Sequence, residues 1–165
     1  MAATLKEGTC HDGESPQPVT ILLVEDNLQD IEITRRAFAK GRVRNDLMVV
    51  RDGEEALEYL YHRGKFQDPA TSPRPGMILL DLNLPKVGGL EVLQQIKQDD
   101  HLKTIPVIVL TVSQREEDVV RSYNLGVNTY IQKPVEFDNF MRVVNAVHEY
   151  WILIATLPPS SRVAP

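Results

Sequence analysis

Ile21-Leu22-Leu23-Val24-Glu25-Asp26 and Met77-Ile78-Leu79-Leu80-Asp81 decide the fold, because each is four apolar residues that stop on acid. Runs this short and continuous read as strands buried on both faces. Two more follow the same plan: Val107-Ile108-Val109-Leu110 stops on Thr111, and Thr129-Tyr130-Ile131-Gln132 stops on Lys133-Pro134. Leu47-Met48-Val49-Val50 reads as a fifth strand, second in chain order. Helical spacing fills the segments between, and strands alternating with helices imply a doubly wound sheet of five parallel strands with five helices, an α/β fold. Such sheets hold their ligands beyond the carboxyl ends of the strands. Three carboxylates, a hydroxyl and an ammonium are therefore expected at one edge, a setting for a divalent cation and a phosphoryl group.

The helices carry their own signals. Asp30 to Lys40 places Ile31, Ala37 and Phe38 at helical spacing and stops at Gly41. Asp52 with Glu55, and Ser113 with Glu116, are capping-box pairs that open the second and fourth helices, the fourth ending near Gly126. The third spans about Gly88 to Gln98, with Leu90, Val92, Leu93 and Ile96 inward. Residues 62–76 hold three prolines and two glycines, a long loop of the kind that marks a binding loop or a disordered insertion. The last helix is expected from about Glu136 to Ala155. Phe140, Val147, Trp151 and Ile154 lie on one heptad seam there. The stretch Tyr150–Leu157 is apolar nearly all round and overshoots the sheet, so a homodimer contact through those four residues is expected.

The chain has 165 residues, 42% of them apolar, enough for one domain with a single core. Residues 1–18 offer little to bury and read as a disordered tail, 19–150 as the domain, and 151–165 as an extension in contact with a partner or a second copy. The net charge of −5 argues against a nucleic-acid-binding surface. No apolar stretch nears the roughly 20 residues that span a bilayer, and the amino terminus lacks the apolar segment of a signal peptide. A lone Cys10 in a polar tail reads as a free thiol, and a cytoplasmic protein is the simplest expectation.

The chemistry lies in the joint pattern. An Asp, Thr or Lys closing one strand is ordinarily a turn residue; acids, Asp81, Thr111 and Lys133 closing four strands in order are far more specific. Like charges about 4 Å apart repel by roughly 4 kcal/mol at an effective dielectric near 20, so Glu25, Asp26 and Asp81 need a counter-charge. A hard cation with oxygen ligands such as Mg²⁺ supplies it, and Asn83 can add its main-chain carbonyl. Asp81 is then placed to attack a phosphoryl donor, while the metal, Lys133 and Thr111 meet the charge on the equatorial oxygens.

On Ile21-Leu22-Leu23-Val24-Glu25-Asp26, Asp81 with Leu84-Pro85 and Gly88-Gly89, Leu110-Thr111 and Lys133-Pro134, the chain resembles the receiver domain of two-component response regulators over about residues 20–150. The resemblance implies a flavodoxin-like receiver fold, Asp81 as phosphoacceptor, and Glu25 and Asp26 as the acidic pair for Mg²⁺. It also implies Thr111 as switch hydroxyl, Tyr130 as switch aromatic, Lys133 as phosphate contact, and a histidine kinase as partner. Val112 departs from the usual small residue after the switch Thr and is expected to narrow the approach to Asp81. The long loop before the third strand, Asn128 with Tyr130, and Tyr150-Trp151 followed by Leu157-Pro158 make the chain similar to single-domain regulators that partner bacterial and cyanobacterial phytochromes. No effector domain is expected after the receiver.

Two other readings compete. A phosphatase or phosphotransferase of the same fold usually needs a second Asp two residues after the nucleophile, where this chain has Asn83. A non-phosphorylated pseudo-receiver acting as a binding scaffold would not need the intact set of Asp81, Thr111 and Lys133.

Overall fold

The computed structural model describes residues 18–40, 45–112, 115–127, 129–133, 138–140, 142 and 145–146. Five strands, β1 (Val19–Val24), β2 (Asn45–Val50), β3 (Met77–Leu80), β4 (Val107–Thr111) and β5 (Thr129–Gln132), form one sheet in the order β2-β1-β3-β4-β5. Every neighbouring pair is parallel, as expected of strands separated by helices. Alternate residues of each strand point to opposite faces. Leu22, Val24, Ile78, Leu80, Val107 and Val109 meet α2 (Gly53–Leu60) and α3 (Gly89–Gln98) through Ala56, Tyr59, Leu93 and Ile96. Ile21, Leu23, Met77, Leu79, Ile108 and Leu110 meet α1 (Leu28–Lys40) through Ile31, Ala37 and Phe38. Double-sided burial explains the unbroken apolar runs of β1, β3 and β4.

Chain order reverses direction in the sheet between β1 and β3. This is the switch point at which doubly wound sheets leave a crevice at their carboxyl edge.

Element boundaries move where a side chain supplies a backbone partner that apolar spacing does not register. α1 begins at Leu28 rather than Asp30, because Asn27 Oδ1 accepts from the amides of Gln29 (2.9 Å) and Asp30 (3.2 Å). β2 starts at Asn45, two residues before its apolar run. Asp52 caps α2 as expected, its Oδ1 accepting from the Glu55 amide at 2.7 Å. Glu55 closes the box one residue early, on the Arg51 amide (2.7 Å).

α4 (Glu116–Asn124) corrects the second capping box: its N-cap position is Arg115, which makes no side-chain cap bond, so Glu116 is the first helical residue and cannot be the third. Ser113 lies outside the described residues.

Residues 62–76 form a packed loop, neither open nor unstructured. A short 3₁₀ turn (Gly64–Phe66) sets Phe66 against Tyr59 at 5.1 Å between centroids, and the Tyr59 hydroxyl donates to the Pro73 carbonyl at 2.8 Å. Arg74 ties the loop to the carbonyl of His101 and to Thr104 Oγ1.

Residues 138–140, 142 and 145–146 are helical, within the span expected for the last helix. Phe140, expected on the dimer seam, is instead 3% exposed and packs edge-to-face on Phe38 at 6.2 Å. Its seam position faces the sheet at this height, so burial in the chain's own core removes it from any dimer contact. Val147, Trp151, Ile154 and the 151–165 extension lie outside the described residues, as does the 1–18 tail apart from Pro18. Among the described residues no helix is long and apolar enough to cross a membrane.

Candidate functional site

Strand register brings the site together. Val24 lies opposite Leu80, and the Asp81 amide donates to the Val24 carbonyl at 3.0 Å, so Glu25 and Asp81 leave neighbouring strands side by side. On the far flank Thr111 pairs with Gln132, and the Lys133 amide donates to the Thr111 carbonyl at 2.8 Å. Four strands thus deliver Glu25, Asp26, Asp81, Thr111 and Lys133 to one edge.

The two oxygens of buried Asp81 have different partners. Oδ1 accepts from the Asn83 amide at 2.9 Å, while Oδ2 accepts from the Lys133 ammonium at 3.1 Å. The same ammonium donates to Glu25 Oε2 and to Asp30 Oδ2 (2.8 Å). Glu25 also accepts from the Asn27 amide at 3.0 Å. Burial pushes the Glu25 carboxyl above the usual carboxylate range, against the hydrogen bonds from Lys133 and Asn27. Burial pulls the Lys133 ammonium down, but the hydrogen bonds to Asp30 and Glu25 and the charge of Asp81 outweigh it and hold it above the ordinary lysine range. Lys133 is a fixed cation at every physiological pH.

Carboxylate oxygens of Glu25, Asp26 and Asp81 lie within 4.8 Å of one another, with Asp26 the more open of the three. The Lys133 ammonium is shared by three carboxylates, Glu25, Asp30 and Asp81, and Asp26 adds a fourth negative charge at the same edge. An all-oxygen donor set with uncompensated negative charge is what a hard divalent cation takes, so these residues fit one. Asn83 is exposed, and its Nδ2 donates to Thr111 Oγ1 at 3.3 Å. Thr111 is buried, Val112 after it is 56% exposed, and Tyr130 is half-buried against the α2/α3-side core.

Neighbouring loops are held by close packing and ion pairs. A Cβ on Gly89 would stand 2.2 Å from the Asp81 carbonyl oxygen and 2.5 Å from Leu82 Cα, so α3 can start against the back of Asp81 only with glycine there. Lys86, in the left-handed region at φ 63°, joins Asp52 (2.9 Å) and Glu54 (3.2 Å) and so fastens the β3–α3 loop to the start of α2. Arg51 reaches the Asp26 carbonyl at 3.3 Å.

Sequence reasoning overlooked Asp30. An acid in the first turn of a helix is already accounted for by the helix dipole. Its place in the first turn of α1, directly after the end of β1, is the sign that it shares the same edge.

This constellation has a match among known families: that of the response regulator receiver domain covers residues 21–145. The chain belongs to the response regulator receiver family. The response regulator Rcp1 of Synechocystis sp. is 42% identical over 145 residues, 88% of this chain and 97% of Rcp1. The structure described as the phosphorylated cyanobacterial phytochrome response regulator RcpA has a TM-score of 0.75 at 45% identity, covering 86% of this chain and 99% of RcpA. The Mn²⁺-bound form of Rcp1 has a TM-score of 0.74 at 42% identity, with the same coverage. This response regulator is thus related to Rcp1 and RcpA over nearly their whole length.

Proposed function

We propose that this receiver takes a phosphoryl group onto Asp81 from a phosphohistidine of a sensor kinase, with Mg²⁺ bound by Glu25, Asp26, Asp81 and the Asn83 carbonyl. The observation that carries the reading is the division of labour at Asp81: Oδ1 is anchored by the Asn83 amide, and Oδ2 lies against a fixed cation. Oδ2 attacks phosphorus, the P–N bond breaks, and its electron pair returns to the imidazole. Lys133 meets the charge on the transferring oxygens as a compact point charge. The metal, when bound, neutralises phosphoryl oxygens and carboxylates together. A buried carboxylate with no acid at the position of Asn83 favours a phosphoacceptor that signals over an enzyme that turns over small phosphate esters.

The phosphoryl group adds nearly two negative charges and new acceptors. Thr111 then exchanges its contact with Asn83 for a phosphoryl oxygen, and Tyr130 moves from its half-buried position into the space released. The face made by α4, β5 and the last helix carries that change by population shift between two packings. The kinship with Rcp1 and RcpA supports a phytochrome-type histidine kinase as donor, in the cytoplasm. Homodimerisation through Val147, Trp151 and Ile154 remains part of this reading, without Phe140.

Incubation with autophosphorylated sensor kinases, phytochrome-type and other, tests it. Label is expected on the wild type from the phytochrome-type kinase with Mg²⁺, and none on a folded Asp81→Asn variant. Label retained by Asp81→Asn refutes the site, and a Trp151→Ala/Ile154→Ala variant that sediments like the wild type refutes the dimer surface.

A further inference from the structure

Lys133 has three N–H donors and three carboxylate acceptors, Glu25, Asp30 and Asp81, so its capacity is filled before any phosphoryl group arrives. The three acceptors are not equivalent. Glu25 is 2% exposed at its side chain, and losing Lys133 would leave a buried carboxylate without its cation. The bond to Asp81 Oδ2 lies where a phosphoryl group on that oxygen would sit, so its N–H is the one that a phosphoryl oxygen takes over first. Asp30 differs from both. Its side chain is 34% exposed, it stands in the first turn of α1, and it has no part in the cluster formed by Glu25, Asp26 and Asp81.

We infer that Asp30 is a positioning residue that competes with the phosphoryl group for Lys133, holding one of its N–H groups and so weakening the phosphorylated state. The inference rests on the reading of Asp81 as phosphoacceptor. Two effects act in the same direction: the Asp30 carboxylate occupies a donor that a second phosphoryl oxygen would take, and its charge repels an incoming dianion. Support for the lysine does not depend on Asp30, because Glu25 and the Lys133 amide bond to the Thr111 carbonyl keep it in place.

Beryllofluoride as phosphoryl mimic, at saturating Mg²⁺, separates the effects. Asp30→Asn, whose amide oxygen is a weaker and uncharged acceptor, should bind it on the order of three- to tenfold more tightly than the wild type, the scale of the difference between a charge-paired hydrogen bond and a neutral one. Asp30→Glu, which keeps charge and acceptor, should bind like the wild type. Mg²⁺ affinity without beryllofluoride should be unchanged or weaker in Asp30→Asn, since a carboxylate near the metal has been removed. In the metal-free protein the Lys133 ammonium resonance should be protected from exchange in the wild type and less protected in Asp30→Asn. Unchanged or weaker beryllofluoride binding by Asp30→Asn overturns the inference, as does an equal tightening of Mg²⁺ or an unaltered Lys133 resonance. A wild type that binds no beryllofluoride overturns the phosphoacceptor reading itself, and the competition with it.

Discussion

The two flanks of Asp81 are built differently. On the β1–β3 flank the helix starts and the loop are held: Asn27 caps α1, Asp52 caps α2, Lys86 clamps the β3–α3 loop, and Gly89 lets α3 press against the Asp81 backbone. On the β4–β5 flank the N-cap residue of α4, Arg115, supplies no side-chain cap bond, β5 is only partly buried, and Val112 is exposed. Chemistry needs fixed atoms, whereas a switch needs an element with two accessible arrangements. On the function proposed above, the receiver divides these demands between the halves of one sheet edge, and Lys133, on the loose flank, reaches across to carboxylates of the rigid one.

The largest effect should come from the rigid flank. Gly89→Ala forces a Cβ into backbone and should cost roughly 3 kcal/mol or more in chemical denaturation. A loss under about 1 kcal/mol would mean that the flank is not rigid. Metal addition comes next: Mg²⁺ at a hundredfold excess over its Kd should stabilise the fold by about 2.7 kcal/mol, read as a higher Tm. Asp26→Asn should lose most of that gain, and an equal gain in the variant would remove Asp26 from the metal site.

Asp52→Ala should cost about 1 kcal/mol at neutral pH through the lost cap. Burial raises the Asp52 carboxyl, but hydrogen bonds from the Glu55 amide and Lys86 outweigh it and leave the group below the ordinary Asp value of 3.8. A depressed folded value means stability that is present above pH 3.8 and lost as pH falls through that lower value, so the cost of the substitution should vanish in acid. A pH-independent cost would assign it to packing. The smallest effect separates the helix starts: hydrogen exchange at the Val119 amide of α4, whose N-cap Arg115 supplies no side-chain cap bond, should be roughly fivefold faster than at Ala56 of α2, capped by Asp52, the worth of one cap. Equal protection would erase the contrast.

Sequence alone determined the parallel α/β sheet and the residues at its carboxyl edge. Buried strands show as unbroken apolar runs, and the residue ending each run must lie at the edge whatever the packing. Capping at Asp52 was legible for a similar reason, since its partner Glu55 is three residues away. Boundaries of α1 and α4 were not, because apolar spacing does not register which side chain or backbone group satisfies a helix end. Phe140 shows the same limit on a larger scale: a heptad seam records that a residue is apolar, not whether its cover is another chain or the chain's own Phe38. Only tertiary structure decided that Lys133 is shared by three carboxylates and that Asp30 is one of them. Those contacts join residues up to 108 positions apart, and they depend on strand register and side-chain reach, which local sequence does not encode.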